Sequence, residues 1–213
     1  MRGLSAQYVK SPFGQRVALN IYIIDTEEMK YDINNNNSSG SKNYRSILKN
    51  VINKIHGEYG REFIYLIWNS ELEGRETPNG TYGYDSTDYL LSYMLLMPQC
   101  LDGWIMFTNG DNMYNNMWFD SVASHLVHDT VDLIAWDFVT HHVRSVGNRS
   151  NLRQQVVKVA IERTFIDLGS AIFRASLFVR ANTHFLDKTV FTTDLFARDF
   201  KMIHTLAQVI YLY

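Results

Sequence analysis

Asp111 ends the short run Asn109-Gly110-Asp111, and the residues leading into it, Trp104, Ile105, Met106 and Phe107, are apolar without a break. A strand that stops abruptly in small and acidic residues marks the edge where open α/β sheets gather ligands. The Asp111 carboxylate is the hard oxygen donor that Mg²⁺ or Mn²⁺ prefers. Asn109 can add a neutral carbonyl oxygen or hold a metal-bound water. Gly110 lets the backbone turn and approach a ligand closely. A cation held there can neutralise the charge that develops on a diphosphate. The competing reading is a solvated turn, because Asn, Gly and Asp are also common turn residues. A buried strand directly before the run favours the ligand site.

Other residues have chemistry to offer and simpler explanations beside it. Asp194, in Thr192-Thr193-Asp194, stands just ahead of an amphipathic C-terminal segment, where an acid also favours the helix dipole and any of the three residues can cap. Asp167, between Ile166 and Leu168, is costly to bury unless paired, and Arg163 or Arg174 could pair with it. His141 and His142 can ligate a metal, although a hard diphosphate-bound cation mostly takes oxygen. Trp104, Trp118 and Trp136 can stack on sugar faces, but core packing is the commoner role of tryptophan.

These residues need elements to hold them. Val17 to Ile24 is a nearly continuous apolar run ending at Asp25, as expected of a strand buried on both faces. Tyr31 to Ser41, with Asn34 to Asn37 in succession, is too polar to order itself and reads as a mobile loop. From Asn43 to Tyr59 a helix is expected to bury Ile47, Leu48, Val51, Ile52 and Ile55. Phe63 to Trp68 is a second strand. Asp85 or Ser86 is placed to cap a helix carrying Leu90, Leu91, Met94 and Leu95 that stops before Pro98. After the Gly103 strand come a helix near Met117 to His128 and a strand from Val131 to Phe138. Arg163 to Arg174 reads as strand, turn and strand around Gly169. Asp194 to Tyr213 reads as a helix burying Leu195, Phe196, Ile203, Leu206 and Ile210. Strands alternating with helices predict a mostly parallel central sheet flanked by helices, an α/β single domain over 1–213.

The chain has 213 residues, 46% of them apolar, enough for a core without staples. Its formal net charge of −2 carries no basic excess of the kind that nucleic acid or an anionic membrane surface demands. The bases Arg144, Arg149, Arg153, Lys158, Arg163, Arg174 and Arg180 nevertheless cluster after the metal candidate and face only Glu162 and Asp167. No apolar run approaches the roughly 18 residues of a membrane span. The single Cys100 excludes an internal disulfide and points to a reducing, cytoplasmic setting, in which the sequons at Asn36, Asn79 and Asn148 carry no meaning.

A first strand ending in an acid, a helix bearing Asp88, a strand ending in Asn109-Gly110-Asp111, a glycine-containing strand pair and a late acid opening a helix together resemble a GT-A fold glycosyltransferase. The similarity runs over the whole chain and is closest to the N-terminal domains with which chlorella viruses build capsid glycans. It implies a GT-A, Rossmann-like sheet and a metal-dependent hexosyltransferase, a domain of a longer chain working in the host cytoplasm. The donor would be a UDP-sugar, of glucose or rhamnose type, and the acceptor a carbohydrate. By family position Asp25, Thr26 and Asp88 would contact the nucleotide, together with Asn109, Gly110 and Asp111. Asp111 and Asn109 would hold Mn²⁺ or Mg²⁺, and Asp194, with Asp167 as its competitor, would serve catalysis. The family tripeptide is Asp-x-Asp, so only the second acid matches literally. Two alternatives stay open. One is a non-catalytic module that binds a nucleotide sugar or carbohydrate. The other is a nucleotidyltransferase, although Asp25-Thr26-Glu27-Glu28 opposes the basic loop that such an enzyme wants after its first strand.

Overall fold

The computed structural model describes Ser11 and residues 18–25, 39–60, 64–68, 84–108, 112–140, 155–162, 165–183 and 195–211. In chain order the elements are β1 (Ile21–Asp25), α1 (Ser39–Tyr59), β2 (Ile64–Trp68), α2 (Tyr84–Leu95), α3 (Pro98–Leu101) and β3 (Trp104–Met106). There follow α4 (Trp118–Leu126), β4 (Leu133–Ala135), β5 (Phe138–Thr140), β6 (Gln155–Val157), β7 (Ala171–Arg174), α5 (Ala175–Ala181) and α6 (Leu195–Tyr211). The chain groups into two compact units, Met1–Thr87 with Tyr114–Ser124, and Asp88–Met113 with His125–Tyr213. Among the described residues no helix is long and apolar enough to cross a membrane.

In the first unit β1 and β2 are parallel, Ile21 opposite Ile64 through to Asp25 opposite Trp68. Parallel neighbours need a crossover, and α1 supplies it. Ile21 and Ile23, two residues apart and so on one face of β1, pack with Ile64 against the stripe Leu48, Ile52, Ile55 and Tyr59 of α1. On the alternate positions Tyr22 and Tyr65 stack, their ring centroids 5.2 Å apart. Ile47 and Val51, expected in the core, lie on the neighbouring stripe of α1 and are 53% and 36% exposed. The helix ends at Gly60, whose φ of +67° suits a residue without a side chain, and whose N–H donates to the His56 carbonyl at 2.8 Å. The His56 ring in turn accepts the Ile64 N–H through Nε2 at 3.1 Å, tying the last turn of α1 to the start of β2. A smaller cluster joins Phe119 and Ala123 of α4 with Trp118 and Leu19, and the Ser11 hydroxyl donates to Asp120.

The second unit is built on β7. It lies between β3 and β4 and runs antiparallel to both, with Ile105 and Leu133 each opposite Phe173. Ala171, Ile172 and Phe173 are all buried, as befits a central strand covered on both faces. Arg174 passes directly into α5, whose Ala175, Leu177 and Phe178 are buried, and α5 packs against the Met202, Ile203, Leu206 and Ala207 face of α6. β5 and β6 form a separate antiparallel pair.

The architecture is mixed α/β, and it departs from the expected mostly parallel central sheet. Among the described residues only β1 and β2 pair in parallel; the other two sheets are antiparallel. The expected strand from Val131 to Phe138 is two, β4 and β5, separated at Trp136 and Asp137. The first of the two strands expected around Gly169 is instead coil and a 3₁₀ turn over Leu168–Ser170. α1 begins at Ser39, so the last three residues of the expected loop are helical and 31–38 lie outside the described residues.

Candidate functional site

β3 leads towards the candidate ligand run with its start and finish both fixed. Gly103, where α3 turns into the strand, donates to the Cys100 carbonyl at 3.0 Å, and its own carbonyl accepts the Ala175 N–H at 2.9 Å. At the far end the Phe107 ring meets Phe178 edge-on at 5.9 Å, and Phe178 meets Phe173 at 5.8 Å. The chain therefore leaves β3 from a firm aromatic base. Asn109, Gly110 and Asp111 lie outside the described residues, but both residues flanking them are described. The Asn112 side chain donates through Nδ2 to the Thr108 hydroxyl at 3.2 Å, which joins the two sides of the run.

Against this joined pair lies the turn that opens β7. Asp167 is its N-cap: Oδ1 accepts the Gly169 N–H at 2.9 Å, and the Ser170 hydroxyl accepts the Asp167 N–H at 3.0 Å while donating to the Asp167 carbonyl at 2.8 Å. This reciprocal arrangement is a capping box on a single turn. The carbonyl of Ser170 accepts the Trp136 N–H at 3.0 Å and ties the turn to the end of β4. Gly169 lies so close to Asn112 that a Cβ there would stand 2.4 Å from Nδ2. The residues bracketing the candidate run and the expected acid Asp167 are thus neighbours at one end of the β3–β7–β4 sheet.

The opposite end is bolted by charge. Asp132 receives Arg174 Nε at 3.1 Å and Arg180 Nη2 at 2.7 Å. Arg174 also donates through Nη2 to the His128 and Val131 carbonyls, each at 2.9 Å, and its guanidinium lies 4.7 Å from the Trp104 ring centroid. The salt bridge proposed from sequence between Arg174 and Asp167 is therefore replaced by Arg174 with Asp132, and the Asp167 carboxylate is engaged by its own turn. Trp104 donates its indole N–H to the Leu126 carbonyl at 3.2 Å, in keeping with a packing role. Lys158, another base of the same cluster, pairs with Asp137, whose Oδ1 also accepts the Val159 N–H. The Lys158 hydrogen bond above all, then the Val159 N–H, hold the Asp137 carboxyl below its ordinary value.

Asp25 is the last residue of β1, described by its backbone, and belongs to the first unit. Asp88 lies in α2, where its carbonyl accepts the Ser92 hydroxyl at 2.8 Å, in the second unit. Thr26, Asp194, His141, His142, Arg144, Arg149, Arg153, Arg163 and the sequon asparagines Asn36, Asn79 and Asn148 lie outside the described residues. Sequence reasoning passed over Thr108, Asn112 and Ser170 as members of the site. For Ser170 a signal was present, since Asp-x-x-Ser is a capping-box spacing. For Asn112 no local signal exists, because its neighbour Gly169 is distant in sequence.

Among the described residues no group of three or more His, Cys, Asp or Glu side chains is placed to hold a metal ion. The ligands expected from sequence, Asp111 and Asn109, lie outside the described residues and would supply one carboxylate and one amide oxygen. Such a pair suits Mg²⁺ or Mn²⁺, which is commonly held by one or two carboxylates with water and substrate phosphates completing the shell. Comparison of the chain with protein-family models, with curated proteins and with solved structures finds no match.

Proposed function

We propose that the chain is a metal-dependent glycosyltransferase of the GT-A kind, moving a hexose of glucose or rhamnose type from a UDP-sugar to a carbohydrate hydroxyl, in the setting of viral capsid-glycan synthesis in the host cytoplasm. The observation that carries this reading is the meeting of the Thr108–Asn112 bracket with the Asp167–Gly169 turn at one end of a three-stranded sheet. β3 and β4 both run antiparallel to β7 and so share a direction, an arrangement compatible with one reversed strand within a GT-A sheet.

On this reading Asp111, with Asn109, would hold Mn²⁺ or Mg²⁺, which when bound neutralises the charge developing on the departing diphosphate as a Lewis acid. The other residues then have separate tasks. The Gly110 backbone gives the diphosphate close approach. Asp88, in the same unit as Asp111, accepts hydrogen bonds from ribose hydroxyls or the uracil N–H. Asp194 takes the proton of the acceptor hydroxyl if the reaction inverts, and orients the sugar if it retains. Asp167 acts mainly through its turn. A second reading, a non-catalytic nucleotide-sugar or carbohydrate binding module, is favoured by the amide at position 109 where the family has an acid.

Calorimetric titration of the protein with UDP, UDP-glucose and other nucleotide sugars, with and without Mn²⁺, tests the proposal. Metal-dependent UDP binding with transfer to a carbohydrate is expected. Binding without turnover of any donor selects the binding module, and no nucleotide binding at all removes both readings.

A further inference from the structure

We propose that His125 and His128, at the C-terminal end of α4, form a two-nitrogen site for a divalent transition cation such as Zn²⁺. The site is separate from the oxygen site read above for Mn²⁺ or Mg²⁺ and does not depend on it. His125 lies in the last turn of α4 and His128 two residues past its end, a spacing of three that puts neighbouring side chains on one face. Their ring centroids are 6.4 Å apart, with the ring planes tilted by 45°. Both residues are exposed, and among the described residues neither ring has a hydrogen-bond partner.

The backbone beneath the two rings is held firmly. The His128 N–H donates to the His125 carbonyl at 3.2 Å, the Leu126 carbonyl accepts the Trp104 indole at 3.2 Å, and the His128 carbonyl accepts the Val131 N–H at 3.2 Å and Arg174 Nη2 at 2.9 Å. A cation therefore has only side-chain rotations to fix. Imidazole nitrogen suits Zn²⁺, Ni²⁺ and Cu²⁺, whereas Mg²⁺ and Mn²⁺ prefer oxygen. Ring nitrogens bind Zn²⁺ at about 2.0–2.1 Å, so the centres of two rings on one tetrahedral ion stand roughly 5 Å apart and this pair has to close by about 1 Å, a small rotation for exposed side chains. The surroundings favour a cation. A helix carries partial negative charge at its C-terminus, the exposed Asp129 follows His128, and the Arg174 guanidinium at the His128 carbonyl is balanced by Asp132 at 3.1 Å. Among the described residues no third His, Cys, Asp or Glu side chain completes a group with the pair, so water fills the remaining positions.

Calorimetric titration of the full chain with Zn²⁺ tests the site, using His125→Gln, His128→Gln and, as a comparison, the His141→Gln/His142→Gln double variant, which removes the other closely spaced histidines of the sequence. Two linked contacts exceed either alone by roughly 10²–10⁴-fold, so each single change should weaken the tightest Zn²⁺ site by about 10²-fold or more. The double variant should leave that affinity unchanged. Of the seven histidines, the ring proton signals missing from His125→Gln and His128→Gln should be the first to shift as Zn²⁺ is added. Both residues are exposed, so neither single change should move the melting temperature of metal-free protein, and neither should alter Mn²⁺ binding. Absence of Zn²⁺ binding by the wild type, undiminished affinity in both single variants, or a loss confined to the His141→Gln/His142→Gln variant overturns the proposal.

Discussion

Removing the Asp132 carboxylate should destabilise the second unit by about 2 kcal/mol while leaving the candidate site untouched. Asp132 is 21% exposed and Arg174 17%, so the pair lies between an exposed ion pair, worth roughly 0–1 kcal/mol, and a fully buried one, where deleting one partner costs roughly 3–5 kcal/mol. Arg174 keeps its bonds to the His128 and Val131 carbonyls and its place over Trp104, which limits the loss. Arg180 is 36% exposed and depends on Asp132 from the rim, so Arg180→Ala should cost under about 1 kcal/mol. For a chain of this size 1 kcal/mol corresponds to roughly 2–4 °C, so Asp132→Ala should lower the melting temperature by roughly 4–8 °C. Calorimetry and urea unfolding with an unchanged slope would measure it. Nucleotide affinity should not move, because Asp132 stands opposite the start of β3 and the Thr108–Asn112 bracket stands past its end. A loss below about 0.5 kcal/mol, or a larger loss from Arg180→Ala than from Asp132→Ala, would refute this account of the bolt.

Four further outcomes are expected. Asp111→Ala should abolish Mn²⁺-dependent UDP binding, measured by calorimetry, with Asn109→Ala doing less because an amide is a weaker donor. Asp194→Asn should preserve UDP and Mn²⁺ affinity yet slow turnover by roughly 10²-fold or more, and a fall in melting temperature alone would leave it a helix cap. Gly57 in α1 and Gly60 just past its end should respond in opposite directions: neither has an atom within 4 Å of an added Cβ, so Gly57→Ala, inside the helix, should add about 0.5–1 kcal/mol, whereas Gly60→Ala at φ +67° should lose about 1 kcal/mol. The stabilising bond between Asp137 and Lys158 is present above the ordinary carboxyl value of 3.8 and is lost as pH falls through the lowered folded value, so Asp137→Asn should flatten the melting curve against pH below about pH 4.

The sequence revealed the elements far better than their partners. The Ile52 and Ile55 stripe, the stop before Pro98 and the burial of Ile203 and Leu206 follow from local periodicity and lie where they were expected, whereas the apolar run before Asp25 becomes strand only from Ile21 and is half-buried rather than covered on both faces. Strand direction does not follow from periodicity. A strand covered on both faces shows the same unbroken apolar run whichever way it points, so Ala171, Ile172 and Phe173 could not declare that β7 is reversed between β3 and β4. Ile47 and Val51 went astray because a stripe one residue to the side fits the same spacing, and only the packed strand decides between them. Asp167 was read as an acid needing satisfaction; of the two arginines considered, Arg174 goes to Asp132 and Arg163 lies outside the described residues, while the Gly169 N–H two positions along the chain donates to the carboxylate. The contact between Gly169 and Asn112 was illegible, since nothing local to either residue encodes a neighbour so far away in sequence.

One feature of the first unit bears on how the protein is made. Its core is assembled from a long N-terminal piece and a short return, so Leu19 finds Phe119, and Ser11 finds Asp120, across 109 residues in the second case. At translation speeds of roughly 5–20 residues per second, that partner is synthesised on the order of 5–20 s after Ser11. A nascent chain cut off at Thr87 holds the β1–α1–β2 layer without the helix that covers Leu19, and by the time the helix arrives β3 has already been made. The first unit therefore cannot close until part of the second has been made, and a fragment that stops before Ser124 should expose apolar surface to chaperones that the complete chain conceals.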